Sequence, residues 1–327
     1  MRVLVVGATG FIGGHVASAC ARAGHDVWGL VRSRARAASE ARLAGARLLE
    51  GSASLPPDEL GAAAFDAVVY AAGVWRYGDR SDPAIIERRC GEVYLDGVAR
   101  FAELALERGA HFVFLSGISR FGSAEATTPL REDSAPGRLS VFGRHKRLAE
   151  ERLASFGERG LRWTALCPPD VYGAGDPGSH VRFIIERSAA RRYLVIGDGQ
   201  NRWSLSHVDN VVAAALFFMT GPGRGVVNIA DARPYTQLEL AQAVRRALGR
   251  RGAVPRVPRA AALLLAAVNQ RIPRPRGFPE PFATRHVRLR TRDVLLDTTR
   301  ATSFGFEPAA ELEQGVAATV AAWRGTR

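Results

Sequence analysis

Short apolar runs alternate along this chain with longer segments whose apolar residues recur at helical spacing. The runs predict strands, and the segments between them are long enough to form helices that cross over a sheet. The predicted strands are the run before residue 7 and residues 25–31, 46–50, 67–70, 111–115, 163–166 and 226–229. The predicted helices are residues 11–23, 83–108, 140–156, 208–219, 236–248 and 309–324. This alternation predicts an α/β protein with a doubly wound parallel sheet.

The first predicted strand ends in a turn marked by Gly7, Gly10 and Gly13. Gly7 permits the tight turn, Gly10 lets the backbone approach a pyrophosphate, and Gly13 lets the next helix pack closely on the strand. The first N–H groups of that helix are then available to bind phosphates. This order of strand, turn and helix predicts a dinucleotide cofactor, with a purely structural turn as the alternative.

Two further strand ends bear on the cofactor. The second strand ends at Val31 and Arg32, where an acidic residue would bind a free ribose 2′-hydroxyl and an arginine would accommodate a 2′-phosphate. We therefore expect NADP rather than NAD, unless Arg32 is an ordinary surface arginine. The fourth strand runs into Ala71, Ala72 and Gly73, whose small size would let the cofactor lie across the sheet edge.

The length and composition are those of a globular protein. With 327 residues, 47% hydrophobic and 24% charged, the chain can form one large core and a smaller lobe. We expect the core at 1–173, with 206–229 returning to it, and the lobe mainly at 174–205 and 230–327. A proline-rich stretch at 272–281 indicates a boundary. Three scattered cysteines, no secretory signal and no bilayer-length apolar run predict a cytoplasmic protein with no metal and no membrane contact.

The formal net charge of +13 would suit binding to nucleic acid. The basic residues are nevertheless spread along the whole chain without a basic-aromatic motif, so we expect no nucleic-acid partner. Among the 45 basic residues, Lys146 is the only lysine. We infer that this position resists exchange for arginine.

A collinear series of segments links the chain to a known family. These segments are residues 7–13, 66–72, 112–116, 142–150, 168–176 and 196–209. They make the chain similar to the extended short-chain dehydrogenase/reductase superfamily, the NAD-dependent epimerase/dehydratase-like proteins. The tail from Thr284 resembles the sterol and β-keto-acid reductase branch more than the sugar-nucleotide epimerases. The resemblance implies a Rossmann core with a small C-terminal substrate lobe.

The same resemblance implies which residues contact NADP. They are Gly7, Thr9, Gly10, Phe11, Ile12, Gly13, Arg32, Ala71, Ala72, Gly73, Lys146, Pro168 and Val171. It also implies a hydride-transfer site built from Ser or Thr, Tyr and Lys, with Tyr four residues before Lys. One helical turn places the phenol and the ammonium on one face.

In that site the lysine holds the cofactor ribose and lowers the pKa of the phenol. The phenol exchanges a proton with the substrate oxygen, and the serine orients that oxygen. Lys146 fits the lysine position, because arginine lacks a compact charge of tunable pKa.

Four positions depart from the family pattern. Phe142 stands where the phenol belongs, and Gly117 stands where the orienting Ser or Thr belongs, directly after Ser116. Tyr94 replaces an asparagine of the preceding helix, and Cys167 replaces an arginine. These changes predict a retained cofactor site beside an altered proton-transfer site.

Several groups are candidates for the missing proton donor. His145 adjoins Lys146, and an imidazole is suited to proton transfer near neutrality. Tyr94 or Tyr172 would supply a phenol from another element. Lys146 itself would carry the proton if burial beside the nicotinamide lowered its pKa. Ser116 is a further candidate for the catalytic set.

These features predict an NADP-dependent reductase of a carbonyl or enone in a small hydrophobic or natural-product-like substrate. Reduction is favoured because a dehydrogenation would need a base to remove a proton from an alcohol. The alternatives are an NADP-binding sensor or regulator without turnover, and a redox-neutral epimerase, cyclase or dehydratase.

Substrate and subunit contacts are predicted less directly. Trp75 and Tyr77 follow the fourth strand and are candidates for a wall of the substrate site, whereas Arg202 is a weak candidate for gripping a nucleotide diphosphate. The resemblance implies a homodimer formed through helices at 83–108 and 140–156.

Overall fold

The computed structural model describes residues 1–54, 60, 63–74, 82–123, 128–272 and 283–326. Up to residue 167 the helices and strands are β1 (Arg2–Val6), α1 (Phe11–Arg22), β2 (Asp26–Val31), α2 (Arg34–Ala37), β3 (Arg47–Glu50), β4 (Ala67–Tyr70), α3 (Pro83–Cys90), α4 (Val98–Glu107), β5 (His111–Leu115), α5 (Val141–Glu158) and β6 (Trp163–Cys167).

They are followed by β7 (Asp170–Tyr172), α6 (His180–Ala189), β8 (Val195–Ile196), β9 (Arg202–Trp203), β10 (Leu205–His207), α7 (Val208–Phe218), β11 (Gly225–Asn228), β12 (Tyr235–Thr236), α8 (Gln237–Ala247), β13 (Arg256–Val257), α9 (Arg259–Asn269), α10 (Thr284–Arg290), α11 (Thr299–Ser303) and α12 (Leu312–Gly325).

Seven strands form one parallel sheet in the order β11-β6-β5-β4-β1-β2-β3. The central strand β1 pairs with β2 on one side and β4 on the other, so Val3 lies opposite both Val27 and Ala67. The strand order reverses at β1, and ligands of such sheets bind at the carboxyl ends of the strands around that point. The predicted doubly wound parallel sheet is confirmed.

Both faces of the sheet are buried because alternate residues of each strand pack on opposite sides. On one face, Val3 and Val5 belong to an apolar core that includes Val16 of α1 and Val211 of α7. On the other face, the intervening residues of β1 belong to a core that includes side chains of α4 and α5. The strand ends are therefore held by packing on two layers of helices.

The chain divides into two compact units. The first comprises Met1–Val171, Ser206–Ala232 and Leu296–Ala310 and contains the seven-stranded sheet. The second comprises Tyr172–Leu205, Arg233–Leu295 and Glu311–Arg327, and α6, α8 and α12 surround its own apolar core. Segment 296–310, which we expected mainly in the lobe, lies with the first unit because Ala301 and Phe306 pack into the core around α7. The substrate-binding role of the second unit stays a prediction.

The predicted helix at 83–108 is interrupted. A π-helical turn, Gly91–Gly97, joins α3 to α4. Such turns carry one extra residue per turn and concentrate at functional sites. This turn contains Tyr94, whose direction therefore differs from the one an unbroken α-helix would give it.

Neither a membrane-spanning helix nor a cluster of metal ligands is found among the described residues. Within those ranges no helix is both long and apolar enough to cross a membrane, and no group of three or more His, Cys, Asp or Glu side chains is placed to hold a metal ion. Of the proline-rich stretch at 272–281, only residue 272 is described, so the predicted boundary there lies otherwise outside the described residues.

Candidate active site

The glycine turn between β1 and α1 is fixed by backbone contacts. Gly7 has φ +87°, and a Cβ placed on it would lie 2.7 Å from the backbone nitrogen of Ala72. A Cβ on Gly13 would lie 2.3 Å from the carbonyl oxygen of Gly7. The N–H of Gly10 donates to that same oxygen at 2.9 Å and closes the turn. The turn and the end of β4 therefore meet at one sheet edge, at a distance that only glycine permits.

The N-terminus of α1 has the form of an anion site. Gly10 occupies the cap position, no side chain of the described residues caps the helix, and its first turn has no acidic residue. Its free N–H groups and the positive end of the helix dipole are suited to a pyrophosphate. Thr9 is exposed on this turn, and Phe11 and Ile12 are half-buried. The residues present therefore fit a dinucleotide.

Two arginines near this turn differ in how they are held. Arg32 is exposed at the end of β2, and its guanidinium forms no hydrogen bond or ion pair with the described part of the chain. Arg42 donates to both carboxylate oxygens of Glu40, at 2.8 and 3.0 Å, and to the carbonyl of Phe11 at 3.3 Å. Arg32 is therefore the one of the two that is available to a ligand phosphate.

Lys146 lies buried on α5 at the end of β5. Its ammonium donates to the carbonyl oxygen of Leu115 and lies 4.4 Å from the ring centroid of Tyr94 and 4.7 Å from that of Phe114. Burial lowers the pKa of Lys146 to about 8, against the raising effect of the nearby Glu150 carboxylate. Within the described residues, one of its three N–H donors is used. The remaining donors are available to hydroxyl groups of a ligand.

Tyr94 reaches the same sheet edge from the π-helical turn. Its phenolic oxygen accepts the Val74 N–H at 3.2 Å and lies 3.3 Å from where a Cβ on Gly73 would be. Only 2% of the residue is exposed, and this burial raises the pKa of the phenol to about 12. The phenolic proton has no acceptor within the described ranges. The structure thus brings Tyr94 and Lys146 together, as two of the predicted catalytic residues.

Ser116, another of the predicted catalytic residues, lies in a buried polar network. Its hydroxyl donates to Glu150 on α5, one helical turn beyond Lys146. The other carboxylate oxygen of Glu150 accepts from Arg120 at 2.7 Å, with both side chains about 5% exposed. Sequence reasoning missed Glu150 and Arg120. The available signal was an acidic residue four positions after the only lysine, a spacing that puts both on one helix face.

His145 faces away from this pair. Its Nδ1 lies 2.9 Å from the carbonyl oxygen of Val141, and its Nε2 lies 3.5 Å from Glu87 of α3. Consecutive helix residues are about 100° apart around the axis, so His145 and Lys146 occupy different faces. The structure therefore places His145 between α5 and α3 rather than with Lys146 and Tyr94.

The two substituted family positions differ in the space around them. Phe142 lies one turn before Lys146 and packs, half-buried, on the core under α5. Gly117 has an extended backbone, and a Cβ on it would meet only the Pro168 carbonyl oxygen, at an ordinary 3.7 Å. A serine would therefore fit at position 117. Cys167 is fully buried, and burial raises the pKa of its thiol.

The remaining candidates are divided between the two units. Tyr172 is buried in the core of the second unit. Arg202, also in that unit, forms an ion pair with Asp293 at 3.0 Å, so its charge is already balanced. Pro168 and Val171 follow β6 in the first unit. Trp75 and Tyr77 lie outside the described residues.

Comparison with protein families gives one match that covers most of the chain. Residues 3–230 match the NAD dependent epimerase/dehydratase family. This range includes the glycine turn, Tyr94 and Lys146. Apart from Arg2 at the start of β1, it also includes all seven strands of the parallel sheet.

Individual relatives include two reductases and one epimerase. A 2-alkyl-3-oxoalkanoate reductase of Stenotrophomonas maltophilia is 26% identical over 337 residues and covers 97% of both chains. A 3-diazoavenalumate denitrifying reductase of Streptomyces is 29% identical over 258 residues, which is 76% of this chain and 82% of the relative. The crystal structure of UDP-glucose 4-epimerase from Thermotoga maritima, with UDP-glucose, superposes with a TM-score of 0.73 and 25% identity over 100% of this chain and 99% of the epimerase.

Proposed function

Since the chain belongs to the NAD-dependent epimerase/dehydratase family, within the extended short-chain dehydrogenases/reductases, we propose that it is an NADP-dependent reductase of a carbonyl or enone. Family membership makes it an enzyme of the oxidoreductase and epimerase type that depends on a nicotinamide dinucleotide. The finer assignment rests on one observation, the contact between Tyr94 and Lys146 at the carboxyl ends of β4 and β5.

In this proposal Tyr94 supplies the phenol that Phe142 lacks. When bound, the dinucleotide supplies the hydride. Lys146 uses its free N–H donors to hold the ribose hydroxyls and lies against the ring of Tyr94, where its positive charge favours loss of the phenolic proton. Tyr94 gives that proton to the substrate oxygen.

The protonation state of Tyr94 suits a reduction. Burial raises the pKa of its phenol to about 12, so the group is protonated near neutral pH and can donate a proton. Oxidation of an alcohol would start from the phenolate, which is a minor species at that pH even with the Lys146 charge beside the ring. The resting state of the site is therefore the one that a reductase needs.

The cofactor assignment is based on Arg32. The guanidinium of Arg32 is exposed and forms no hydrogen bond or ion pair with the described residues. It lies at the end of β2, where this fold binds the adenosine ribose. It would bind a 2′-phosphate through charge-assisted hydrogen bonds. NADP is therefore the proposed cofactor.

The substrate class is taken from the relatives. The relative that covers 97% of both chains is named as a reductase of 2-alkyl-3-oxoalkanoates, and that substrate carries a ketone. We extend this chemistry to the present chain and propose a small hydrophobic ketone, such as a 3-oxo acid, as substrate.

The test is NADPH oxidation by the purified protein with a panel of 3-oxo acids, ketones and enones. Lys146→Met should lower kcat/KM by about 10²–10⁴-fold, because it removes both the ribose contact and the charge beside the phenol. Arg147→Met, the next residue of α5, should retain wild-type activity. Oxidation that survives in Lys146→Met contradicts the proposed site, and NADPH binding without oxidation of any substrate supports the sensor or redox-neutral alternatives instead.

We also infer a homodimer formed through α4 and α5. Leu148 of α5 is 39% exposed and lines a surface groove with Ala99 and Phe156. The groove also contains four polar or charged residues, Glu151, Arg152, Ser155 and Arg159, and an exposed leucine within it is suited to burial against a second copy. Light scattering should give twice the monomer mass.

A further inference from the structure

The second unit contains a cavity of about 500 Å³ that is lined by arginines. Arg191 follows the C-terminus of α6, and Arg245, Arg250 and Arg251 lie in and after the last turn of α8. No aspartate or glutamate is among its lining residues within the described chain. Four like charges around one cavity repel each other, so a bound anion would stabilise this arrangement.

The carboxylates of the neighbouring helices are engaged elsewhere. Glu186 of α6 forms an ion pair with Arg182 at 2.9 Å, and Glu313 of α12 pairs with Arg246. The four arginines of the cavity have no carboxylate partner among the described residues. The protein therefore leaves their charge unbalanced while it pairs the adjacent arginines.

Two polar groups buried at this cavity have no partner among the described residues. Ser188 is 4% exposed, and its hydroxyl makes no hydrogen bond; the Nε of Arg245 is likewise buried and unpaired. A buried polar group without a partner costs about 1–3 kcal/mol of folding free energy. Both atoms are enclosed in the unliganded protein, so a rotation of each side chain would be needed to bring its O–H or N–H to an acceptor oxygen of a ligand in the cavity.

The backbone holds two of the guanidinium groups in place. Arg250 donates to the carbonyl oxygen of Ala189 at 2.6 Å, and Arg245 donates to that of Arg251 at 2.8 Å. Each guanidinium carries five N–H donors, so most of them stay available. Arg191 has φ +57° and is the only non-glycine residue of the described chain in the left-handed region. Glycine would adopt that backbone at lower cost, so the surrounding structure holds Arg191 in this conformation beside the cavity.

We propose that this cavity binds a phosphate-class oxyanion, with a diphosphate group as the best match to its volume and its four arginines. In this site Arg191, Arg245, Arg250 and Arg251 bind the phosphate oxygens, and the Ser188 hydroxyl donates to one of them. The chemistry is shared by free inorganic pyrophosphate and by the diphosphate ester of a larger metabolite. None of the residues that line this cavity is among those assigned to the reductase reaction.

Calorimetric titration of the whole chain with inorganic pyrophosphate tests the site without any nicotinamide cofactor. Arg250→Gln should weaken binding about tenfold, because a charge-assisted hydrogen bond is lost. The matched control is Arg246→Gln, which removes the same charge four residues earlier, in the last turn of α8, at a residue that does not line the cavity. It should stay within about twofold of wild type. Pyrophosphate bound at the glycine turn would not respond to either variant.

Ser188→Ala provides a second variant that does not depend on charge. It should weaken pyrophosphate binding about fivefold while raising the melting temperature of the unliganded protein, because it removes an unpaired buried hydroxyl. Titration with uridine diphosphate identifies the source of the ligand: tighter binding than pyrophosphate assigns the site to an ester, and weaker binding assigns it to the inorganic anion. No measurable binding to wild type, or equal losses in Arg250→Gln and Arg246→Gln, would overturn the proposal.

Discussion

The glycine turn and the end of α5 lie along the same sheet edge, yet they constrain sequence differently. At the turn, the backbone of Gly7 and Ala72 approaches so closely that added Cβ atoms would overlap main-chain atoms. At the end of α5, the family pattern has lost its phenol at Phe142, while Tyr94 enters from a π-helical turn to contact Lys146. Where backbone atoms are in contact, as at Gly7 and Gly13, only glycine fits. Where a side chain supplies the function, as the phenol does, a residue on a different helix or strand can take its place.

The largest effect on cofactor affinity should come from the backbone-determined region. In Gly13→Ala the new Cβ would lie 2.3 Å from the Gly7 carbonyl, so the turn must shift. We expect NADPH affinity to fall by up to about 100-fold, since overpacking costs about 1–3 kcal/mol. Fluorescence titration with NADPH measures the change.

The matched control for this variant is Gly91→Ala, because Gly91 has φ −57° and a Cβ there would meet nothing within 4 Å. Gly91→Ala should bind NADPH as wild type does. A folded Gly13→Ala protein with unchanged NADPH affinity would show that backbone contact does not determine the turn.

A smaller effect is expected at the end of β2. Arg32→Gln should weaken NADPH binding about tenfold and leave NADH binding unchanged, because only NADPH has a 2′-phosphate. Arg22→Gln, in the last turn of α1, should change neither affinity. Equal affinities of the wild-type protein for NADPH and NADH would remove the argument for NADP.

The smallest effect concerns Glu150, which we infer to be a positioning residue for Lys146. Its carboxylate raises the pKa of Lys146, which burial lowers to about 8. Activity that needs the ammonium should be full below that pKa and be lost as pH rises through it. Glu150→Gln removes the carboxylate charge, so the alkaline limb of kcat/KM should move about one unit to lower pH.

A purely structural role for Glu150 would instead lower the whole pH profile without moving its midpoint. Glu150→Asp retains the negative charge and should restore the wild-type midpoint. The comparison of the two variants therefore separates electrostatic positioning from packing.

The sequence predicted most of what depends on local pattern. The apolar runs placed the seven strands of the parallel sheet within one or two residues, whereas most of the two- and three-residue strands outside it were not predicted. The uniqueness of Lys146 identified a residue that lies at the carboxyl end of β5. The π-helical turn was not predictable, because its amino-acid sequence has the same apolar pattern as the α-helices on either side of it. The bond between Ser116 and Glu150 joins residues 34 positions apart and depends on tertiary packing. His145 was proposed from its adjacency to Lys146, although neighbours on a helix face different directions.

The most direct test of the account is the single-turnover rate of ketone reduction by the NADPH-loaded protein in wild type, Tyr94→Phe and Tyr94→Phe/Phe142→Tyr. The account predicts a loss of about 10²–10⁴-fold in Tyr94→Phe with unchanged NADPH affinity, and partial recovery when Phe142→Tyr returns a phenol one turn before Lys146. A Tyr94→Phe protein that reduces the ketone at the wild-type rate would contradict it.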